Sequence, residues 1–299
     1  MGSKVVPLCG ILLLDKPLGM SSNAALQRVR HFLGRPKAGH TGSLDPLATG
    51  MLPICIGEAT KVAGALLAGA KCYTAQMRLG ERTDTGDAEG QVVERQPVPI
   101  INESVIAPAL QEFHGPQQQI PPMYSALKRN GQPLYKLARQ GISVERSARS
   151  IEIYALELLD YTALTLRLRV ECSKGTYIRT LVEQLGTRLG SCAHLIALRR
   201  EFVEPFRGEA MHTLDQLQAG PPDSALLPAD RAVGHLPALH LSPAQTRAMS
   251  FGQAISAPGA ESGQLRLYDQ SGGFLGLGVG GDDGAVRVLR LFAEVRAAS

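Results

Sequence analysis

The chain has 299 residues, enough for one large unit beside a smaller one, and 44% hydrophobic content allows a substantial core. Charged residues make up 19%, which excludes a disordered polyelectrolyte, and a net charge of +4 favours a polyanionic partner only through its placement. The five cysteines have no Cys-x-x-Cys spacing and the seven histidines form no ligand pattern with them, so neither a zinc site nor a redox pair is indicated. A reducing cytoplasm is the expected compartment, and no apolar run is long enough for a membrane span.

GILLLDKP predicts a strand stopped at Pro17, and SSNAALQRVRHFLG a helix with Ser21 or Ser22 as cap and Gly34 as terminator. GHTGSLDPLATG follows, too apolar for a surface linker and too rich in glycine for a helix. MLPICIG reads as a strand, EATKVAGALLAG as a helix, and KCYTAQMRLG as a strand ending in the polar loop ERTDTGDAEG. NESVIAPALQEFHG reads as a helix capped by Asn102. Residues 120–150, opening on a double proline and carrying a short helix closed by Gly141, read as an insertion standing off the main sheet. IEIYALELLD and LTLRLRVEC alternate, with Leu164, Leu166, Leu168 and Val170 on one face, which predicts a half-buried antiparallel sheet. TYIRTLVEQLGTRLG is a further helix, and a boundary dense in proline, alanine and glycine follows near residues 219–237. Beyond it GQLRLYDQSGGFLGLGVGGDDGAVRVLRLF predicts a glycine-punctuated hairpin series. The order is mixed α+β rather than a regular βαβα.

GLGVGG formally matches the dinucleotide fingerprint, but AVRVLRLF after it alternates like a strand where that motif needs a helix, so no nucleotide cofactor is expected. Asp45 carries more. A lone aspartate in a turn ordinarily bonds its own backbone, and as a metal ligand Asp45 lacks nearby partners. As a reacting carboxylate it needs a rigid setting and a cation; Leu44 and Pro46 supply stiffness, and Pro46 biases Asp45 away from helical dihedrals. Arg179 and Tyr177 in SKGTYIRTL and Tyr73 in KCYTAQMRLG are candidate partners. Two basic runs, one around Arg28, Arg30, His31, Arg35 and Lys37 and one from Lys128 to Arg149, favour phosphate contacts.

Taken together and in order, LLLDKPLGMSSN, GHTGSLDPLATGMLPICIGEATK, KCYTAQMRLG, PPMYSALKRNGQPLYKLARQG and CSKGTYIRTL resemble the TruB family of tRNA pseudouridine synthases from about Cys9 to Asp230. A weaker resemblance to a PUA-type RNA-binding domain follows. The resemblance implies a mainly antiparallel pseudouridine-synthase sheet with flanking helices and an RNA-clamping insertion. It implies a catalytic domain at 9–233 and a small β-rich PUA-like domain at 234–296. The implied reaction turns uridine 55 of the tRNA TΨC loop into pseudouridine, by a monomer without cofactor or metal. Asp45 matches the catalytic aspartate, Arg179 its partner and Tyr73 the tyrosine that stacks on the base. His40 matches a residue packing on the rearranged nucleotides, Leu198 an apolar wall, and Lys16 with Pro17 a flanking motif; Tyr177 is placed with the substrate-binding set. At about 4 Å an Arg–Asp pair gains roughly 4 kcal/mol at an effective dielectric of about 20, enough to hold Asp45 ionised. Attack at ribose C1′, attack at uracil C6 and proton abstraction at C2′ all remain open for Asp45. A glycosidase-like enzyme using Asp84 or Asp87 as second carboxylate, and a non-catalytic RNA-binding protein, are the competing readings.

Overall fold

The strand stopped by Pro17 is the first element of a computed structural model that describes residues 8–129, 131–221 and 224–292. Residues 293–296 of the expected C-terminal domain, Asn130 of the insertion, and Pro222 and Asp223 of the expected boundary lie outside the described residues. Chain order gives β1 (Gly10–Lys16), α1 (Ser22–Phe32), β2 (Ala38–His40), β3 (Ala48–Ile56), α2 (Ala63–Ala68) and β4 (Lys71–Leu79). A hairpin of β5 (Glu81–Thr83) and β6 (Val92–Arg95) leads to α3 (Glu103–Gln111) and β7 (Gly115–Gln119). The insertion holds β8 (Lys128–Arg129), β9 (Gln132–Pro133) and α4 (Leu134–Ala138). The chain returns through β10 (Arg149–Tyr161), β11 (Thr165–Cys172), α5 (Ile178–Arg188), β12 (Ala193–Val203), α6 (Leu214–Ala219) and β13 (Leu226–Leu227). Last come β14 (Ala238–His240), α7 (Pro243–Ser250), β15 (Ile255–Ser256), β16 (Gly263–Tyr268), β17 (Phe274–Gly280) and β18 (Ala285–Leu291).

The architecture is the expected mixed α+β. One sheet runs β13-β1-β3-β12-β4-β11-β10-β7, with β2 added on β3. Its neighbours are antiparallel except for the central pair β3 and β12. Register then decides what faces what. Lys16 pairs with Gly50, Gly50 with Arg200, Arg200 with Tyr73 and Tyr73 with Val170, so one row of residues crosses the sheet on a single face.

Two helical layers cover that face. Ala25, Leu26 and Val29 of α1 pack on Leu12, Leu14, Leu52 and Ile54, while Ile178, Leu181 and Leu185 of α5 pack with Tyr73, Ala75, Leu168 and Val170. The loop before β3, which carries Asp45, runs between them. On the opposite face Ile11, Leu13, Met51, Phe202 and Phe206 share a core with Leu277 and Phe292 of the C-terminal sheet. That sheet, ordered β14-β16-β17-β18-β15, is joined further by the Tyr268 hydroxyl donating to Asp230 at 2.8 Å.

Several local expectations change. EATKVAGALLAG does not form one helix: the Thr60 hydroxyl donates to the Gly57 carbonyl at 2.9 Å and a 3₁₀ turn precedes the short α2. Leu164 leaves the apolar face because the Thr162 hydroxyl takes its amide and that of Thr165, forming a turn, and Leu164 is exposed. The polar loop after β4 is largely the β5–β6 hairpin. Gly276, Gly278 and Gly280 of GLGVGG lie inside β17 and Gly281 begins the turn to β18, so a strand follows instead of a helix. A Cβ at Gly276 would lie 2.1 Å from the Arg290 carbonyl, so close strand approach explains that glycine. The expected hairpin series of residues 263–292 is present, since β16 pairs antiparallel with β17 and β17 with β18, and β14, from upstream of it, adds on β16 in parallel. No disulfide joins the cysteines, and Cys55, Cys72, Cys172 and Cys192 are buried.

Candidate active site

The Asp45 loop is held by its backbone. The Thr41 amide donates to the Pro53 carbonyl at 2.9 Å, the Ala48 amide to Asp45 at 3.0 Å, and the Gly19 amide to the Pro46 carbonyl at 2.8 Å. Arg200, 1% exposed, brackets the loop: Nε donates to the Met51 carbonyl at 2.6 Å and Nη2 to the Gly42 carbonyl at 3.0 Å. Gly50 lets β3 approach β12 at this point. Its φ is +95° and a Cβ there would stand 2.2 Å from the Arg200 carbonyl oxygen. Gly50→Ala is therefore expected to cost about 3 kcal/mol of stability, read as a lower denaturant midpoint at unchanged slope.

Arg179 enters from the first turn of α5. Gln119, almost fully buried, fixes that turn by accepting from the Tyr177 amide at 2.8 Å and donating to its carbonyl at 3.1 Å. Arg179 Nη2 lies 3.0 Å from Asp45 Oδ2, and Nε lies 3.7 Å from Asp87 Oδ2. Nη1 donates to the Thr85 carbonyl at 2.8 Å and Nη2 to the Tyr124 carbonyl, at the root of the insertion, at 2.6 Å. The arginine side chain is 6% exposed and that of Asp45 45%, so the carboxylate faces outward from a buried cation. Asp87 is the residue that the sequence reading placed elsewhere, as a rival second carboxylate. It is buried behind Arg179, accepting from the Thr85 hydroxyl at 2.6 Å and the Glu89 amide at 3.1 Å.

The remaining candidates fall around this pair. Tyr73 is buried beside Arg200 in the cross-strand row, and desolvation raises its hydroxyl pKa. Leu198 lies two residues before Arg200 and packs with Leu44 and Leu47 on the same core. Tyr177 is half-buried at the start of α5. His40 ends β2 with its Nδ1 buried and without a hydrogen-bond partner; burial, with Arg200 second, holds its pKa down. Lys16 differs from a group that touches substrate, since it is 0% exposed and its Nζ donates to the Pro17 and Met20 carbonyls at 2.8 and 2.6 Å. It shapes the turn whose Gly19 amide holds Pro46. Burial lowers its pKa to about 8, against the attraction of Asp45.

The electrostatics of Asp45 depart from the simple pair expected. Desolvation by burial, the largest influence, raises its carboxyl above 3.8; Arg179 opposes this, and Asp87 adds to the rise as a negative neighbour. Arg200 carried no signal in the sequence beyond ordinary strand patterning, and Asp87 was singled out only as a second carboxylate, not as a partner of Arg179. Only register and burial reveal these places.

The sequence model of the TruB family pseudouridylate synthase N-terminal domain matches residues 30–178, and two models of TruB C-terminal domains match 179–234 and 237–292. A tRNA pseudouridine synthase B of Pasteurella multocida is 50% identical over 294 residues, covering 95% of both chains. The chain belongs to the TruB family of pseudouridine synthases. Another relative of the same name, from Stutzerimonas stutzeri, is 51% identical over 290 residues, 94% of this chain and 95% of its own. Among solved structures, an H/ACA ribonucleoprotein bound to a substrate RNA containing 2′-deoxyuridine aligns with TM-score 0.71 and 26% identity, over 95% of this chain and 84% of that one.

Proposed function

We propose that this TruB-family protein isomerises uridine 55 in the TΨC loop of tRNA to pseudouridine, with Asp45 as the reacting carboxylate. The observation that carries this reading is the outward-facing Asp45 held 3.0 Å from a buried arginine in a loop fixed at its backbone. The uridine leaves its stack to reach the cleft, at a cost of a few kcal/mol. Its N1–C1′ bond breaks, the uracil turns, and a C5–C1′ bond forms, with the C5 proton lost and one proton gained at N1. The sum is redox-neutral and intramolecular, so it calls for no nucleotide, metal or second substrate. Arg179 orients Asp45 and offsets its charge, and Asp87 holds Arg179 from behind. Tyr73 and Leu198 wall the base, Tyr177 and His40 meet the flanking nucleotides, and Lys16 acts through the Pro17–Met20 turn.

We take residues 9–233 as the catalytic domain and 234–296 as a PUA-like RNA-binding domain, with the insertion closing over the RNA loop. A pocket of about 440 Å³ in the insertion, lined by Lys128, Arg129, Arg146 and Arg149 with one acidic residue, Glu145, supports phosphate contact there. We take the enzyme to act as a monomer. No helix among the described residues is long and apolar enough to cross a membrane, and a cytoplasmic enzyme fits the substrate.

The test is a T-arm stem-loop carrying 5-tritiated uridine. Release of tritium to water is expected with wild-type protein, whereas a protein that only binds RNA retains the label. All three routes open to Asp45 need it ionised. The single-turnover rate at saturating RNA is therefore expected to fall toward acid pH with a midpoint above the ordinary aspartate value of 3.8. A rate that stays flat through that range removes Asp45 as the titrating group.

A further inference from the structure

Ser22 sits in the first turn of α1 and does not cap it. The cap is Ser21, whose hydroxyl accepts from the Ala24 amide at 3.2 Å. The Ser22 hydroxyl turns away from the helix to Leu44, accepting from its amide at 2.7 Å and donating to its carbonyl at 2.9 Å. Ser22 is 4% exposed and Leu44 5%, so neither bond is readily replaced by water.

The geometry matters because of what Leu44 precedes. The Leu44 carbonyl, the Asp45 amide and the Asp45 Cα lie in one rigid peptide plane. A hydroxyl that grips both the amide and the carbonyl of Leu44 therefore fixes the plane from which the Asp45 side chain departs. The other side of Asp45 is held by the Gly19 amide on the Pro46 carbonyl. A carboxylate without this support swings with its loop, and a misplacement of about 1 Å at a reacting group costs on the order of 10²-fold in rate.

We propose that Ser22 is a positioning residue for Asp45, coupling α1 to the Leu44–Asp45 peptide so that the carboxylate points at the substrate and at Arg179. This rests on the reading of Asp45 as the reacting group. Ser22→Ala leaves both Leu44 backbone groups buried without that partner, and the loop must shift to satisfy them.

The experiment compares wild type, Ser22→Ala, Ser22→Cys, Ser21→Ala and Asp45→Asn for single-turnover rate at saturating T-arm RNA, RNA affinity and melting temperature. Ser22→Ala is expected to lose about 10- to 100-fold in rate with affinity within about twofold, and Ser22→Cys, which keeps a weak donor and acceptor, to recover part of it. Ser21→Ala removes the helix cap and lowers melting temperature while leaving the rate unchanged. A wild-type rate in Ser22→Ala overturns the proposal, as does a loss that Ser21→Ala matches at equal destabilisation. Should Ser22→Ala fail to fold, Ser22→Cys decides by the same comparison. Turnover by Asp45→Asn brings down the underlying reading as well, whereas an inactive Asp45→Asn beside a fully active Ser22→Ala brings down the positioning role alone.

Discussion

Asp45→Asn is expected to lower pseudouridine formation by at least about 10⁴-fold while leaving tRNA affinity near wild type. The amide keeps the shape of the side chain, and the basic groups of the insertion are untouched. It can neither form the bond to carbon nor take the proton that the carboxylate routes require. The fold is expected to stand, because Arg179 keeps Asp87 and the carbonyls of Thr85 and Tyr124. Stability even has a sign. Asp45 has a raised pKa, so near neutral pH the folded state carries the ionised form at a cost that the unfolded chain does not. Removing the charge relieves that cost, and the variant should melt no lower than wild type at neutral pH. Below the unfolded value of 3.8 both forms are protonated and the difference vanishes. Clear turnover by the purified variant contradicts the role given to Asp45.

Arg179→Lys is expected to cost on the order of 10²-fold in single-turnover rate at saturating RNA, with a small change in affinity. The guanidinium uses three nitrogens in a fixed fork, toward Asp45, Asp87, and the two backbone carbonyls. One ammonium cannot hold all of these, and it is more strongly hydrated. Lysine retains charge and so part of the ionisation, while orientation is lost. Arg179→Ala goes further and is expected to destabilise the protein by about 3 kcal/mol, since Asp87 is then a buried carboxylate without its cation. A role for Arg179 as a surface phosphate contact predicts the reverse pattern, with weaker binding, a flatter salt dependence and an intact chemical rate. Its 6% side-chain exposure argues against that role. Rates and affinities across a salt series separate the two.

Much of this fold was legible because its strongest signals are local. Alternation in LTLRLRVEC gave β11, Pro17 ended β1, and Asn102 capped α3 through its bond to the Val105 amide. The errors arose where a side chain overrode periodicity, as the hydroxyls of Thr60 and Thr162 did at the 3₁₀ turn and at Leu164. The site divides the same way. Asp45 stood out by its rigid neighbours, and resemblance singled out Arg179 and Tyr73 for it. Arg200 belongs to the site because it pairs with Tyr73 in register and spans Gly42 and Met51, a relation between segments about 150 residues apart. Asp87 reads in the chain as a turn aspartate open to a second-carboxylate role, and its burial against Arg179 gives it a different place. Lys16 shows the opposite case. The motif marked it as part of the site, and the structure buries it completely with its Nζ on the carbonyls of the turn beneath Pro46.

The most direct measurement maps pseudouridine along an unmodified full-length tRNA transcript after incubation with the purified protein. The account predicts one modified position, uridine 55 of the TΨC loop, converted by wild type and untouched by Asp45→Asn. Binding of the transcript with no pseudouridine at any position, or conversion at another uridine while position 55 stays unmodified, contradicts it.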